Sequence, residues 1–114
     1  RAGWATCPAT QAGFLRVSAN PRFSSDAVTP RQAFELLADL TALPDHLFWA
    51  DDKPLTGSAF FDSARLVGYR QVTDAHLLAI ALRHGGALAT FDAGCSSLLP
   101  SGWPANAVQL IPTR

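Results

Sequence analysis

Two aspartates, Asp74 and Asp92, are the residues of this chain best placed for chemistry. They stand 18 positions apart. Two facing carboxylates at the mouth of an α/β sheet are what a divalent cation needs. The segment between them reads as a device for bringing them together. Thr73 is a good N-cap, with Val72 and Leu77 at the hydrophobic-staple positions. Leu77, Leu78, Ile80, Ala81 and Leu82 make an apolar helix body. His84-Gly85-Gly86 is a stop signal, with glycine just beyond the last turn. A helix of about 11 residues runs about 16 Å. An apolar strand over residues 87–91, at about 3.3 Å per residue, returns the chain by a similar distance. Asp74 is then expected at a helix N-terminus and Asp92 at the C-terminal end of a strand, the edge where open α/β sheets bind ligands.

The remaining elements must carry that edge. Trp4 to Thr6 reads as the end of a short strand. Pro8 suits the first position of a helix over residues 9–18, capped by Thr6 or Cys7, burying Phe14, Leu15 and Val17. Residues 21–28 read as a loop. Thr29-Pro30-Arg31-Gln32 carries a capping box with proline at the first helical position. Ala33, Phe34, Leu36, Leu37 and Leu40 follow at helical spacing. A strand is expected over residues 46–50, a short helix over 58–67 and a last strand over 108–111. The order β-α-α-β-(α)-α-β-β argues for an α/β fold with a parallel sheet and helices on both faces. The opening strand is so short that the sheet reads as lacking its first unit.

Composition narrows the function classes. At 114 residues, 48% apolar and 16% charged, the chain reads as one globular domain. It has no apolar run of about 18 residues, so no membrane span is expected. No signal peptide is visible, which makes the cytoplasm the default location. The formal net charge is zero, so contact with RNA has to come from a local patch rather than a global field. Arg16 and Arg22 are candidates for contacting phosphate, with ordinary surface arginine as the plain alternative. Cys7 and Cys95 lack zinc-ligand spacing and read as reduced, partly buried residues. His46, His76 and His84 show no Ser-His-Asp arrangement.

Four segments, taken in order, resemble one family. They are residues 6–17 (Thr6-Cys7-Pro8 through Arg16-Val17), His46 to Asp52, Val72-Thr73-Asp74-Ala75, and Leu88-Ala89-Thr90-Phe91-Asp92. Together they resemble VapC-type toxins of the PIN-domain family, with the likeness spanning the C-terminal three-quarters of such a domain. The resemblance implies an endoribonuclease dependent on Mg²⁺ or Mn²⁺, a homodimer, and an antitoxin protein as partner. It implies that Asp74 and Asp92 hold the metal. Gln11 stands where many members carry Glu. The acid at the end of the family's first strand has no counterpart, so the chain is expected to be a single PIN-like domain over 1–114, incomplete at its N-terminus. The missing strand belongs in the middle of the family sheet, and its absence costs two neighbouring strands their ladder.

The chemistry implied is hydrolysis of an RNA phosphodiester. A divalent cation held by a few carboxylates can activate water and neutralise charge on phosphate. The hydroxyl of Thr90 or Thr73 is then placed to orient a water or a phosphate oxygen, and Gln11 to line the same rim. The plainer readings stand beside these. Asp74 is also a first-turn acid favoured by the helix dipole, Asp92 a turn residue before Gly94, Thr73 a helix cap and Thr90 an ordinary strand residue. The rival function is a non-catalytic remnant of the fold, or a module that binds protein or RNA.

Overall fold

The computed structural model describes residues 3–23 and 25–112. Arg1 and Ala2 of the opening segment and Ser24 of the expected loop lie outside the described residues. The chain is α/β, and its tertiary contacts divide it into two compact units, residues 1–51 and 52–114.

The first unit contains β1 (Trp4–Thr6), α1 (Pro8–Ser18), α2 (Pro30–Thr41) and β2 (His46–Phe48). Strands β1 and β2 are parallel, with Trp4 opposite His46 and Thr6 opposite Phe48. The ladder is carried one residue further by the Trp49 amide, which donates to the Thr6 carbonyl at 2.8 Å. Helix α2 starts as the sequence dictates. The Thr29 amide donates to Gln32 Oε1 at 3.0 Å, and the Gln32 amide donates to Thr29 Oγ1 at 3.1 Å. Two otherwise orphaned N–H groups are thereby satisfied. Helix α1 is capped at Cys7, whose own amide donates to Thr10 Oγ1 at 2.9 Å.

Burial in this unit is sparse. Among its described residues only Cys7, Ala33 and Leu37 are buried. The expected apolar face of α1 is open: Phe14 and Leu15 are half-buried, and Val17 is exposed. Phe34 and Leu36 of α2 are exposed as well. Helical spacing allowed five core positions in α2, but one packed side of a helix covers only the narrower stripe around Ala33 and Leu37.

The second unit contains α3 (Val72–Arg83), β3 (Leu88–Thr90) and β4 (Val108–Leu110), joined by short 3₁₀ turns. Strands β3 and β4 are parallel, with Leu88 opposite Val108 and Thr90 opposite Leu110. Among the described residues the four strands therefore form two hydrogen-bonded pairs, β1–β2 and β3–β4. The expected helix over 58–67 is only a 3₁₀ turn, Ser63–Arg65, capped by Asp62. One turn is all that this capped stretch sustains before Gly68.

Helix α3 carries the main core. Ala75, Leu78 and Leu82 pack with Cys95, Leu98, Ala107 and Val108, and Phe60, Leu66, Leu88 and Trp103 close around them. Ala79, Ile80 and Ala81 are buried too, so the helix is covered on most of its circumference. It begins two residues earlier than expected. A 3₁₀ turn over Tyr69–Gln71 runs directly into it, with Gln71 at the N-cap position in a right-handed conformation. Thr73 therefore lies inside the first turn and is not the cap. The Gln71 side chain instead accepts from the Val67 amide at 2.6 Å. At the other end Gly85, at φ +72°, reverses the chain, and the Gly86 amide closes onto the Ala81 carbonyl at 2.8 Å. Only glycine takes that conformation without strain.

Candidate metal centre

Asp74 sits in the first turn of α3, where the unpaired amides favour a negative charge. The helix runs to Arg83, the glycine pair turns the chain, and β3 brings it back. Asp92 follows two residues after the end of β3. The two carboxylates meet. One oxygen of Asp74, one of Asp92 and the sulfur of Cys95 all lie within 4.8 Å of one another. Asp74 is half-buried, Asp92 exposed and Cys95 buried, so the group runs from the surface into the core.

The turn that follows β3 sets this geometry. Asp92 caps a 3₁₀ helix, Ala93–Leu98, and its Oδ1 accepts from the Gly94 amide at 2.8 Å. The turn role and the site role of Asp92 are therefore compatible. Thr90 Oγ1 accepts from the Asp92 amide at 3.0 Å and lies 3.7 Å from Cys95 Sγ. Its hydroxyl thus fixes the backbone that presents Asp92 and touches the thiol below.

Cys95 was not among the site residues singled out from the sequence. Cys95 is the third residue of the 3₁₀ helix that Asp92 caps, so the short turn keeps the two close in space. Burial pushes the Cys95 thiol above its usual range. The hydrogen bond with Thr90 works against that shift, while the charges of Asp74 and Asp92 and the hydrogen bond with Asp74 add to it.

The other sequence-predicted site residue, Gln11, lies in the first unit. Its Nε2 donates to Thr6 Oγ1 at 2.9 Å, and that oxygen is 2.7 Å from His46 Nε2. The ring of His46 in turn packs at 4.7 Å from that of Trp4. Gln11 is thus tied to the end of β1 and, through Thr6, to β2. Arg16 and Arg22 are both exposed. A separate concavity of about 390 Å³ opens in the second unit beside Lys53, Thr56, Ser58, Phe60 and Arg83. It belongs to the far end of α3 from Asp74, and no carboxylate lines it among the described residues.

The three side chains offer donors of the kind that could hold a metal ion. Two carboxylates can hold Mg²⁺ or Mn²⁺ while water completes the shell, and the group of three is the cluster of this kind among the described residues. Among those residues no helix is long and apolar enough to cross a membrane.

No protein-family model matches the chain. Individual proteins do. It is 51% identical over 96 residues to Ribonuclease VapC38 of Mycobacterium tuberculosis, a match covering 84% of this chain and 66% of that protein. It is 43% identical over 100 residues to Ribonuclease VapC39 of the same organism, covering 88% and 72%. Ribonuclease VapC29 is 36% identical over 96 residues, covering 84% and 66%. The chain thus spans about two thirds of the length of the curated relatives it matches. An α/β architecture with parallel strands, two carboxylates converging after β3 and identities of this order over most of the sequence give one answer: the chain belongs to the VapC ribonuclease family, with its PIN-like fold.

Proposed function

We propose that this chain works as a metal-dependent endoribonuclease of the toxin–antitoxin type, with Asp74 and Asp92 holding Mg²⁺ or Mn²⁺. The observation that carries the reading is the convergence of the two carboxylates, 18 positions apart in sequence, at one point of the second unit. The names of the relatives, each a ribonuclease VapC, point the same way. A divalent cation bound there supplies an activated water and neutralises charge on the scissile phosphate.

The chain's own residues have distinct tasks. Asp74 and Asp92 bind the cation. Thr90 is a positioning residue, because its hydroxyl holds the Asp92 amide. Gln11 is assigned to the substrate, since its amide can donate to a phosphate oxygen. Its bond to Thr6 keeps it at the end of β1. The chain forms one PIN-like domain, and the protein acts in the cytoplasm as a homodimer controlled by an antitoxin.

Replacing either Asp74 or Asp92 with Asn keeps shape and removes charge. The Asp92→Asn side chain retains an oxygen able to accept from the Gly94 amide, so the turn survives. Each variant is expected to lose Mn²⁺-dependent RNA cleavage by about 100-fold or more, since a ligand counts for at least as much as an outer-shell partner. Cleavage equal to that of the unmutated chain would remove both residues from the mechanism. One observation favours the rival reading of a non-catalytic binding module: Gln11 is neutral and already hydrogen-bonded. In that case the unmutated chain binds no Mn²⁺ and cuts no RNA.

A further inference from the structure

We propose that the concavity at the far end of α3 from Asp74 is a second site, which takes a phosphate monoester group. Its chemistry is independent of the two carboxylates and of any ion they hold.

The cavity, about 390 Å³, lies within the second unit, where residues 53–60 meet Arg83 in the last turn of α3. Its polar side chains all offer donors. Arg83 and Lys53 are cationic and can only donate. Thr56 and Ser58 add hydroxyls, and no carboxylate lines the cavity among the described residues. Arg83 decides the reading. Its Nη1 is buried and has no hydrogen-bond partner, the one side-chain nitrogen or oxygen left so among the described residues. The guanidinium carbon stands 5.8 Å from the centre of the Phe60 ring. Phe60 packs in turn on Trp103, with 5.5 Å between ring centres. The aromatic pair thus holds the cation in place without supplying an acceptor. Ser58 Oγ accepts from the Phe60 amide at 3.0 Å, which leaves the serine proton to donate.

A buried guanidinium nitrogen without an acceptor bears its full desolvation cost, and an anion entering the cavity relieves it. The rigid fork of arginine matches a carboxylate or a phosphate. The neighbours favour phosphate. Two cations match the charge of about −1.5 to −2 on a phosphate monoester near neutral pH, and its terminal oxygens accept from several sides. A carboxylate carries a single charge and two oxygens. The cavity falls in the size range of small-molecule pockets, roughly 300–1,000 Å³. Pro54 and Phe60 supply an apolar wall for the organic group that the phosphate carries. Lys53 and Thr56 are exposed, while Ser58 and Arg83 are half-buried. The lysine therefore meets the anion first and the arginine holds it. A phosphate monoester is found on free mononucleotides and on one of the two ends that hydrolysis of an RNA phosphodiester creates.

The test is isothermal titration calorimetry of the full chain with uridine monophosphate. A chelator is present, so that no metal bridges the phosphate to Asp74 and Asp92. One equivalent is expected to bind, and uridine, which lacks the phosphate, is expected not to. Arg83→Gln should weaken binding by about 10- to 100-fold, and Lys53→Gln by about two- to fivefold. The Asp74→Asn, Asp92→Asn double variant should bind as the unmutated chain does, so failure of the metal site leaves this one standing. Should Arg83→Gln not fold, Lys53→Gln combined with Thr56→Val, both at exposed positions, tests the same cavity, with a loss of about fivefold or more expected. Competition by an oligoribonucleotide with a terminal phosphate assigns the RNA end as the source of the group, and binding of the mononucleotide without that competition assigns the free nucleotide. No binding by the unmutated chain, equal binding of uridine, or an affinity unchanged by these substitutions at the cavity would overturn the proposal.

Discussion

The two units share a plan and differ in how much they bury. Each holds a pair of parallel three-residue strands and at least one helix of 11 or 12 residues. Among the described residues of the first unit three side chains are buried, and in the second the core runs from Ala75 through Val108. The second unit also carries both carboxylates and the thiol. The site therefore rests on the better-packed unit, where α3 and the turn after β3 are held by shared apolar contacts. Asp74 and Cys95 are positioned by the same cluster, since Ala75 and Cys95 both belong to it. In the first unit hydrogen bonding does the comparable work. The capping box of α2 and the Gln11–Thr6–His46 contacts stand where packing is thin.

Substitutions in the two units should separate these two modes of support. The largest effect is expected at Leu78, 1% exposed in the heart of the second core. Leu78→Ala removes packed methyl groups and should cost about 2–5 kcal/mol, seen as a lower urea midpoint for the second unit. A loss below about 1 kcal/mol would mean the core is looser than its burial indicates. Next comes Gly85→Ala. A side chain at φ +72° is strained even though open space surrounds the position, and about 1–2 kcal/mol is expected from that strain. Thermal unfolding reads it directly.

In the first unit the expected losses are smaller and polar in origin. Thr29→Ala removes one half of the capping box and should cost about 1 kcal/mol, with Thr29→Ser restoring most of it. Phe34→Ser should change the stability of the isolated chain by no more than about 0.5 kcal/mol, because the ring is 61% exposed. A loss of several kcal/mol there would show that the open face of α2 is covered in solution and would narrow the contrast between the units.

Much of this was legible in the residues themselves. Thr29-Pro30-Arg31-Gln32 marked the start of α2, because capping boxes act through local hydrogen bonds that need no partner from elsewhere. The meeting of Asp74 and Asp92 was legible because a helix followed by a glycine reversal and a strand brings the chain back to where the helix began. The start of α3 was not. Thr73 has the chemistry of a cap, but the 3₁₀ turn at Tyr69–Gln71 leads the chain into the helix before Thr73 is reached. Phe14, Leu15 and Val17 show the other limit. Periodicity names the apolar face of a helix, while burial depends on what packs against it. Cys95 reads in the sequence only as a reduced, partly buried cysteine, because its place beside the two aspartates depends on a 3₁₀ turn, whose period of three differs from that of the α-helix.

The central claim is that Asp74 and Asp92 form one cation site. Titration of the purified chain with Mn²⁺, followed by the loss of the free-ion paramagnetic signal, tests it most directly when run beside the Asp74→Asn, Asp92→Asn double variant. The account predicts one ion bound by the unmutated chain and none at the same concentrations by the double variant. Equal binding by both chains, or binding by neither, would contradict it.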